Sequence, residues 1–291
     1  MNDQTKNQYM KLAAYYYLHH MNGAVLSISA IRDSLVQTAE NFQPGYFRRL
    51  KNAIAFDLEN KGHPEAANKI RVVVNPVTAK GSVLVKKPKP RRAKSFSNDD
   101  LVVLVQHLGN SGYEEAFAAV CLISQTGARP AELKQMRLDG DTLFIRGAKK
   151  TSGGRGADRL LTITDETTKN IITNCIDILR SQPAITIDAI RHRIRTEGLK
   201  LWPRRKVVPS MYSMRHQVGS NLKASALDSK TIAYIMGHQS TNSIMRYGDK
   251  RQGNARAINV EPAKEADLSA VRDKVKPQKR AWFESVIFRH E

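Results

Sequence analysis

Apolar residues recur along most of this chain at intervals of three and four, and two short stretches alternate instead. Tyr9, Leu12 and Tyr16, then Ile28, Ile31 and Leu35, then Phe47, Leu50, Ile54 and Leu58 each mark one face of a helix. Pro44 stands where a first helical residue belongs, and Pro64 opens a fourth segment that runs to Val74. Asn75-Pro76 ends the helical pattern, so the spacing predicts a helical first domain over 1–80. Further on, Ser97-Asn98-Asp99-Asp100 supplies N-cap chemistry ahead of Leu101, Leu104, Val105 and Leu108. A helix over 113–125 stops at Gly127. Residues 141–146 and 159–164 alternate as two strands, with Gly153, Gly154 and Gly156 at the tip between them. Helical spacing returns over 166–181, 186–196, 209–224, 229–237 and 241–247.

The pattern predicts a mainly α protein: a helical N-terminal domain, then an α-rich domain over 96–255 with a small antiparallel β-sheet. Residues 81–95 link them, and 256–291 form a tail. The tail is polar up to an apolar close containing Trp282, Phe283, Val286, Ile287 and Phe288. At 291 residues the chain is long enough for two cores. Cys121 and Cys175 sit in apolar helical patterns without metal-ligand spacing, which predicts buried thiols in a reducing compartment. Apolar runs stay short of the ~18 residues of a membrane span, and the opening 1–8 is too polar for a secretion signal. The expectation is a cytoplasmic, nucleoid-associated protein.

Charge changes the picture. Lys and Arg number 47 against 27 Asp and Glu, a net charge of +20 that calls for a polyanionic partner. An anionic membrane is the rival, but the basic segments lack the apolar face of an interfacial helix. Lys86, Lys87, Lys89, Arg91, Arg92 and Lys94 crowd the linker, and Pro88 and Pro90 keep it extended. Such a strap suits a chain crossing a DNA backbone, where each cation near phosphate releases counterions. A solvated tether is the alternative. Arg48, Arg49 and Lys51 flank the third helix's apolar stripe, where they either meet phosphates or form a solvated face.

Several residues then carry chemistry by position. Arg129 precedes Pro130, which keeps it out of the helical region at the entrance of a new helix, with Glu132 one turn in to orient its guanidinium. Taken alone this is an ordinary surface pair. Lys149 and Lys150 lead into the glycine-rich tip, where a solvated loop is the usual reading. Tyr212, Arg215 and Gly219 share one helical face, and an arginine packed there needs an anion. His216 points about 100° away and reads as structural. His238 ends a helix where its side chain can leave the core, and Tyr247 follows Ile244 and Met245 like a core tyrosine.

Together these stretches resemble the tyrosine recombinases, the lambda-type phage integrase family. The matching segments are Thr126-Gly127-Ala128-Arg129-Pro130-Ala131-Glu132-Leu133, Lys149-Lys150-Thr151-Ser152-Gly153, Met211-Tyr212-Ser213-Met214-Arg215-His216, and Ile235-Met236-Gly237-His238 through Arg246-Tyr247. Their order, the 32-residue gap from Arg215 to Tyr247 and the nine-residue gap from His238 to Tyr247 all fit. The resemblance covers about residues 96–250. The N-terminal domain resembles the family's core-binding domain in position and character only, and the expectation is that no separate arm-binding domain stands before it. One departure stands out: the second box usually reads His-x-x-Arg, and here it begins with Tyr212.

The resemblance implies a site-specific DNA recombinase that integrates or excises a mobile element. Arg129 and Arg215 would clamp the scissile phosphate, with His238 a third donor. Tyr247 would attack phosphorus to form a 3′-phosphotyrosyl link, and Lys150 (or Lys149) would protonate the departing 5′-hydroxyl. The bond energy stays in the ester, so the expectation is no cofactor: neither metal nor ATP. Expected partners are double-stranded DNA with inverted-repeat core sites, copies of the chain forming a tetramer on two duplexes through the C-terminal segment, and an accessory DNA-bending protein; no membrane is expected. The rival readings are a type IB topoisomerase or telomere resolvase, and a catalytically impaired DNA-binding or excision-directing factor.

Overall fold

The computed structural model describes residues 1, 3–21, 23, 27–93, 95–148, 157–254 and 258–273. These fall into two compact units, Met1–Pro90 and Arg91–Glu291, a division that lies inside the basic linker.

The first unit holds α1 (Asp3–His20), α2 (Ile28–Gln37), α3 (Pro44–Asn60) and α4 (Pro64–Arg71). The predicted stripes form its core, where Tyr16, Ile31, Leu35, Phe47, Leu50 and Ile54 are all buried, and Ile70 of α4 joins them. Tyr16 is tolerated there because its hydroxyl meets Ser34 Oγ at 2.9 Å and Thr38 Oγ1 at 3.1 Å. Pro44 and Pro64 open their helices as the pattern predicts. The fourth helix stops three residues short of Val74. Three β-branched valines before Asn75-Pro76 do not sustain it, and the Val73 N–H turns back to the Ile70 carbonyl in a tighter closing turn.

The second unit contains α5 (Asn98–Asn110), α6 (Glu114–Thr126), β1 (Met136–Asp139), β2 (Thr142–Ile145), β3 (Arg159–Ile163), α7 (Glu166–Ser181), α8 (Ile187–Leu201), α9 (Met211–Ala224), α10 (Ser229–Ile235) and β4 (Val260–Pro262). Short 3-10 helices at Pro130–Gln135 and Thr241–Arg246 flank the sheet and follow α10. Ser97 caps α5 by accepting the Asp100 N–H, as its sequence predicts. Alanine-rich α6 is the central element: α5, α7, α8 and α9 all pack on it, and Ala116, Ala118, Ala119, Val120, Leu122 and Ile123 are buried. Cys121 and Cys175 meet across α6 and α7 as buried free thiols.

The four strands form one antiparallel sheet in the order β1-β2-β3-β4. Sequence periodicity predicts only the central pair. β1 and β4 are too short to show a period, and β4 ends in Pro262, which an edge position accepts. β4 also changes the picture of the tail. Val260, Ala263 and Val271 are buried, and Ser240 bridges Arg272 in parallel, so residues 258–273 are folded onto this unit. The apolar close of the chain lies outside the described residues.

Candidate functional site

The site is built where α6, the 3-10 helix after it, β3, α9 and the end of α10 converge. Gly127 ends α6 in the left-handed conformation (φ 62°), and a Cβ there would strike Val218 and the Met236 sulfur at 2.9 Å. Its carbonyl, left free by the end of the helix, accepts from Arg215 Nη1. Arg129 follows in extended conformation as the cap of Pro130–Gln135. The Arg129 backbone N–H donates to Glu132 Oε2 at 2.8 Å, and its Nη1 donates to Glu132 Oε1 at 2.7 Å. The Arg129 Nη2 reaches the Gly237 carbonyl at 2.8 Å. Arg129 retains 9% exposure, and Glu132 retains none.

Arg215 lies on the inward face of α9 and is wholly buried. Its Nη2 donates to the Met236 carbonyl and to His238 Nε2, the latter at 3.1 Å, while its Nε has no acceptor among the described residues. His238 is buried too, rather than reaching out of the core as its helix-end position predicts. Because Nε2 accepts from Arg215, the imidazole proton sits on Nδ1, which meets no partner among the described residues. Burial first, then Arg215, Arg129 and Arg159, push His238 down to about 2, so the ring is neutral.

Tyr247 completes the group. Its ring centroid lies 5.1 Å from the Arg215 guanidinium carbon and 4.8 Å from the His238 ring. On the other flank His216 stacks on it, 4.8 Å away with planes 26° apart. The His216 Nδ1 also accepts the Gly248 N–H, and the Ser220 hydroxyl accepts the Asp249 N–H at 2.9 Å. Lys223 Nζ donates to the Gly248 carbonyl. One face of α9, residues 216, 219, 220 and 223, therefore carries the segment that holds Tyr247.

Arg159 is the member that sequence reading missed. It fills the first inward position of β3, in line with Leu161 and Ile163, and its Nη2 pairs with Glu132 Oε2 at 2.9 Å. Burial raises the Glu132 carboxyl, but Arg159 and then Arg129 outweigh it and hold it at about 2. Burial also lowers Arg215, helped by Arg129 and Arg159, to about 9, which leaves it charged at neutral pH. Three buried guanidiniums thus face one carboxylate. Such a cluster can receive an anion.

A cavity of about 690 Å³ opens beside Tyr247, lined by Arg92, Ser210, Tyr212, His216, Met245 and Asp249 among others. Tyr212 stands at its rim, 44% exposed and apart from the buried cluster. Of the basic residues singled out by sequence, Arg92 alone among those described lines this cavity. Arg91, Lys86, Lys89 and Arg48 are exposed. Arg49 bonds Gln8, Lys87 bonds the Asn41 carbonyl, and Lys51 donates to the Val73 carbonyl with burial lowering its pKa. Lys94, Lys149 and Lys150 lie outside the described residues. Among those described, no group of three or more His, Cys, Asp and Glu is arranged to hold a metal, and no helix is long and apolar enough to cross a membrane.

No protein-family model and no curated protein matches the sequence. Solved structures do. The Tn1549 transposon integrase in complex with a circular intermediate DNA superposes with a TM-score of 0.53 at 12% identity, over 86% of this chain and 90% of that one. The same integrase with transposon right end DNA gives 0.50 at 14% identity, over 84% and 89%. A lambda integrase dimer bound to a core site gives 0.47 at 15% identity, over 85% and 77%. The chain has the tyrosine recombinase fold.

Proposed function

We propose that this protein is a site-specific DNA recombinase that cuts and rejoins strands through a covalent 3′-phosphotyrosyl intermediate. One observation carries the reading: Tyr247 is held against Arg215, inside a buried cluster whose guanidiniums outnumber its carboxylate three to one. A phosphodiester meets both needs, since it supplies the missing negative charge and the electrophile. The solved structures of like fold, caught on transposon DNA, support the same reading.

In this mechanism Arg129 and Arg215 bind the non-bridging oxygens of the scissile phosphate and stabilise the charge that builds in the transition state. His238 adds its Nδ1–H. The Tyr247 oxygen forms a bond to phosphorus while the bond to the 5′-oxygen breaks. The phenolic proton leaves to solvent, and Lys150, with Lys149 the alternative, gives a proton to the departing 5′-oxygen, which leaves as a hydroxyl. A 5′-hydroxyl from a partner strand then reverses the step, so the ester's energy is conserved without a cofactor. The basic strap from Lys86 to Lys94 and the residues Arg48, Arg49 and Lys51 add phosphate contacts. A tetramer on two duplexes with inverted-repeat core sites, joined through the C-terminal segment and helped by a DNA-bending protein, completes the proposal.

The test is a selection. The protein is incubated with a pool of random-sequence duplexes, each with a single nick whose position varies across the pool, and SDS-resistant adducts are sequenced. Recovery of a common inverted-repeat sequence linked to Tyr247 is expected. Binding of a specific sequence without any adduct would instead make the protein a DNA-binding or excision-directing factor. Relaxation of a supercoiled plasmid lacking the selected site would favour the topoisomerase reading.

A further inference from the structure

The Arg159 side chain is completely enclosed, as that of Arg215 is. Its Nη2 pairs with Glu132, and its Nε and Nη1 find no acceptor among the described residues. Glu132 is already engaged by the backbone and guanidinium of Arg129. One carboxylate therefore serves two cations, with Arg215 beside them.

A pair built only for stability would be balanced. Replacing a buried ion pair with apolar side chains is often neutral or stabilising. The inward positions that continue β3, Leu161 and Ile163, are apolar. An arginine at the head of that row adds a desolvated charge and two orphaned donors, each of which opposes folding. Stability does not account for it.

We propose that Arg159 is a positioning residue, which holds Glu132 against Arg129 from behind and adds the uncompensated charge that draws the scissile phosphate onto Arg129 and Arg215. The proposal rests on the phosphotyrosyl reading above. Gly237 belongs to the same device. A Cβ there would collide with Arg159 Nη1 and lie 3.2 Å from Arg129 Nη1, so glycine lets both guanidiniums close on one turn. Its left-handed conformation (φ 61°) turns the carbonyl toward Arg129 Nη2. The charge of Arg159 also contributes, after burial, Arg215 and Arg129, to keeping His238 neutral.

The full-length protein and its Arg159→Met and Arg159→Lys variants are compared on the nicked duplex recovered by the selection. Single-turnover adduct formation, duplex affinity, melting temperature and the His238 imidazole titration by NMR are read together. Arg159→Met is expected to melt at or above the wild-type temperature and to bind duplex within about threefold of wild type. It should form adduct on the order of tenfold to a hundredfold more slowly, the range seen when the outer partners of metal-ligating side chains are removed. The His238 pKa should rise. Arg159→Lys, which keeps the charge, should recover most of the rate. Wild-type cleavage by Arg159→Met overturns the proposal, as does a Lys variant as slow as Met. A Met variant that fails to fold, or loses stability and rate in step, assigns Arg159 to the scaffold. No adduct from the wild-type protein on any duplex removes the phosphotyrosyl reading itself.

Discussion

Gly219 and Tyr247 lie so close that a Cβ on residue 219 would come within 3.3 Å of the tyrosine's own Cβ. The position of Tyr247, the proposed nucleophile, is therefore set by the absence of a side chain on α9. Gly219→Ala should push Tyr247 away from Arg215 by a few tenths of an ångström and slow adduct formation about tenfold, roughly 1.4 kcal/mol in barrier. Gly219→Val should abolish it, with duplex binding kept in both. Adduct formation by the Val variant at the wild-type rate would show that Tyr247 does not need this seat.

Tyr247 and Tyr234 should separate cleanly. Tyr247→Phe keeps the ring among His216, His238 and Arg215 and removes only the hydroxyl, so duplex binding should persist without covalent adduct. Tyr234 is buried and its hydroxyl accepts the Leu160 N–H at 3.0 Å. Tyr234→Phe should cut stability by about 1 kcal/mol and leave adduct formation in the folded protein intact. Adduct in the Tyr247 variant, mapped by peptide sequencing to another tyrosine, would move the nucleophile.

Tyr212 is half-exposed at the rim of the cavity, outside the arginine cluster. Tyr212→His, which restores the usual residue of the second box, should leave the cleavage rate unchanged or raise it. A loss beyond about tenfold, roughly 1.4 kcal/mol, would give the tyrosine a specific part in the reaction.

Acid should loosen the second unit in two stages. Folding holds His238 at about 2 against an ordinary 6.5, so the unfolded chain binds the extra proton and stability falls as pH drops below 6.5. Glu132 is held at about 2 against 4.5, so its contribution is present above 4.5 and is lost as pH falls toward 2. Tryptophan fluorescence follows this unit through Trp202, whose ring meets that of Phe96 edge-on. The urea midpoint should decline from about pH 6.5 and more steeply below 4.5, and His238→Asn should flatten the upper stage. A wild-type midpoint constant between pH 7 and 5 would contradict the neutral buried imidazole.

Local chemistry was legible where a residue's neighbours in the chain decide its place. Arg129 before Pro130, Ser97 ahead of α5 and the stripes of α1 to α3 all behave as their sequences predict. What escaped depended on chain returning from far away. His216 is turned from Arg215 by helical geometry, and nothing nearby in sequence tells that residues 247–249 pass over that side of α9. Arg159 did leave a signal, alternating in register with Leu161 and Ile163, but a charge at the head of a strand reads as an exposed end. The burial of His238 likewise follows from Arg215, 23 residues earlier, reaching it from another helix.

The bridge between Ser240 and Arg272 closes a neck. Thr241 N–H donates to the Arg272 carbonyl and Arg272 N–H to that of Gln239, so Tyr247 and β4 hang on one loop whose two ends are tied together. Within it, residues 248 and 249 are bonded to His216, Ser220 and Lys223 of α9, so the tyrosine's stretch of the loop has an anchorage of its own. The loop that carries Tyr247 is thus fastened twice, along its course to α9 and at its two ends to itself.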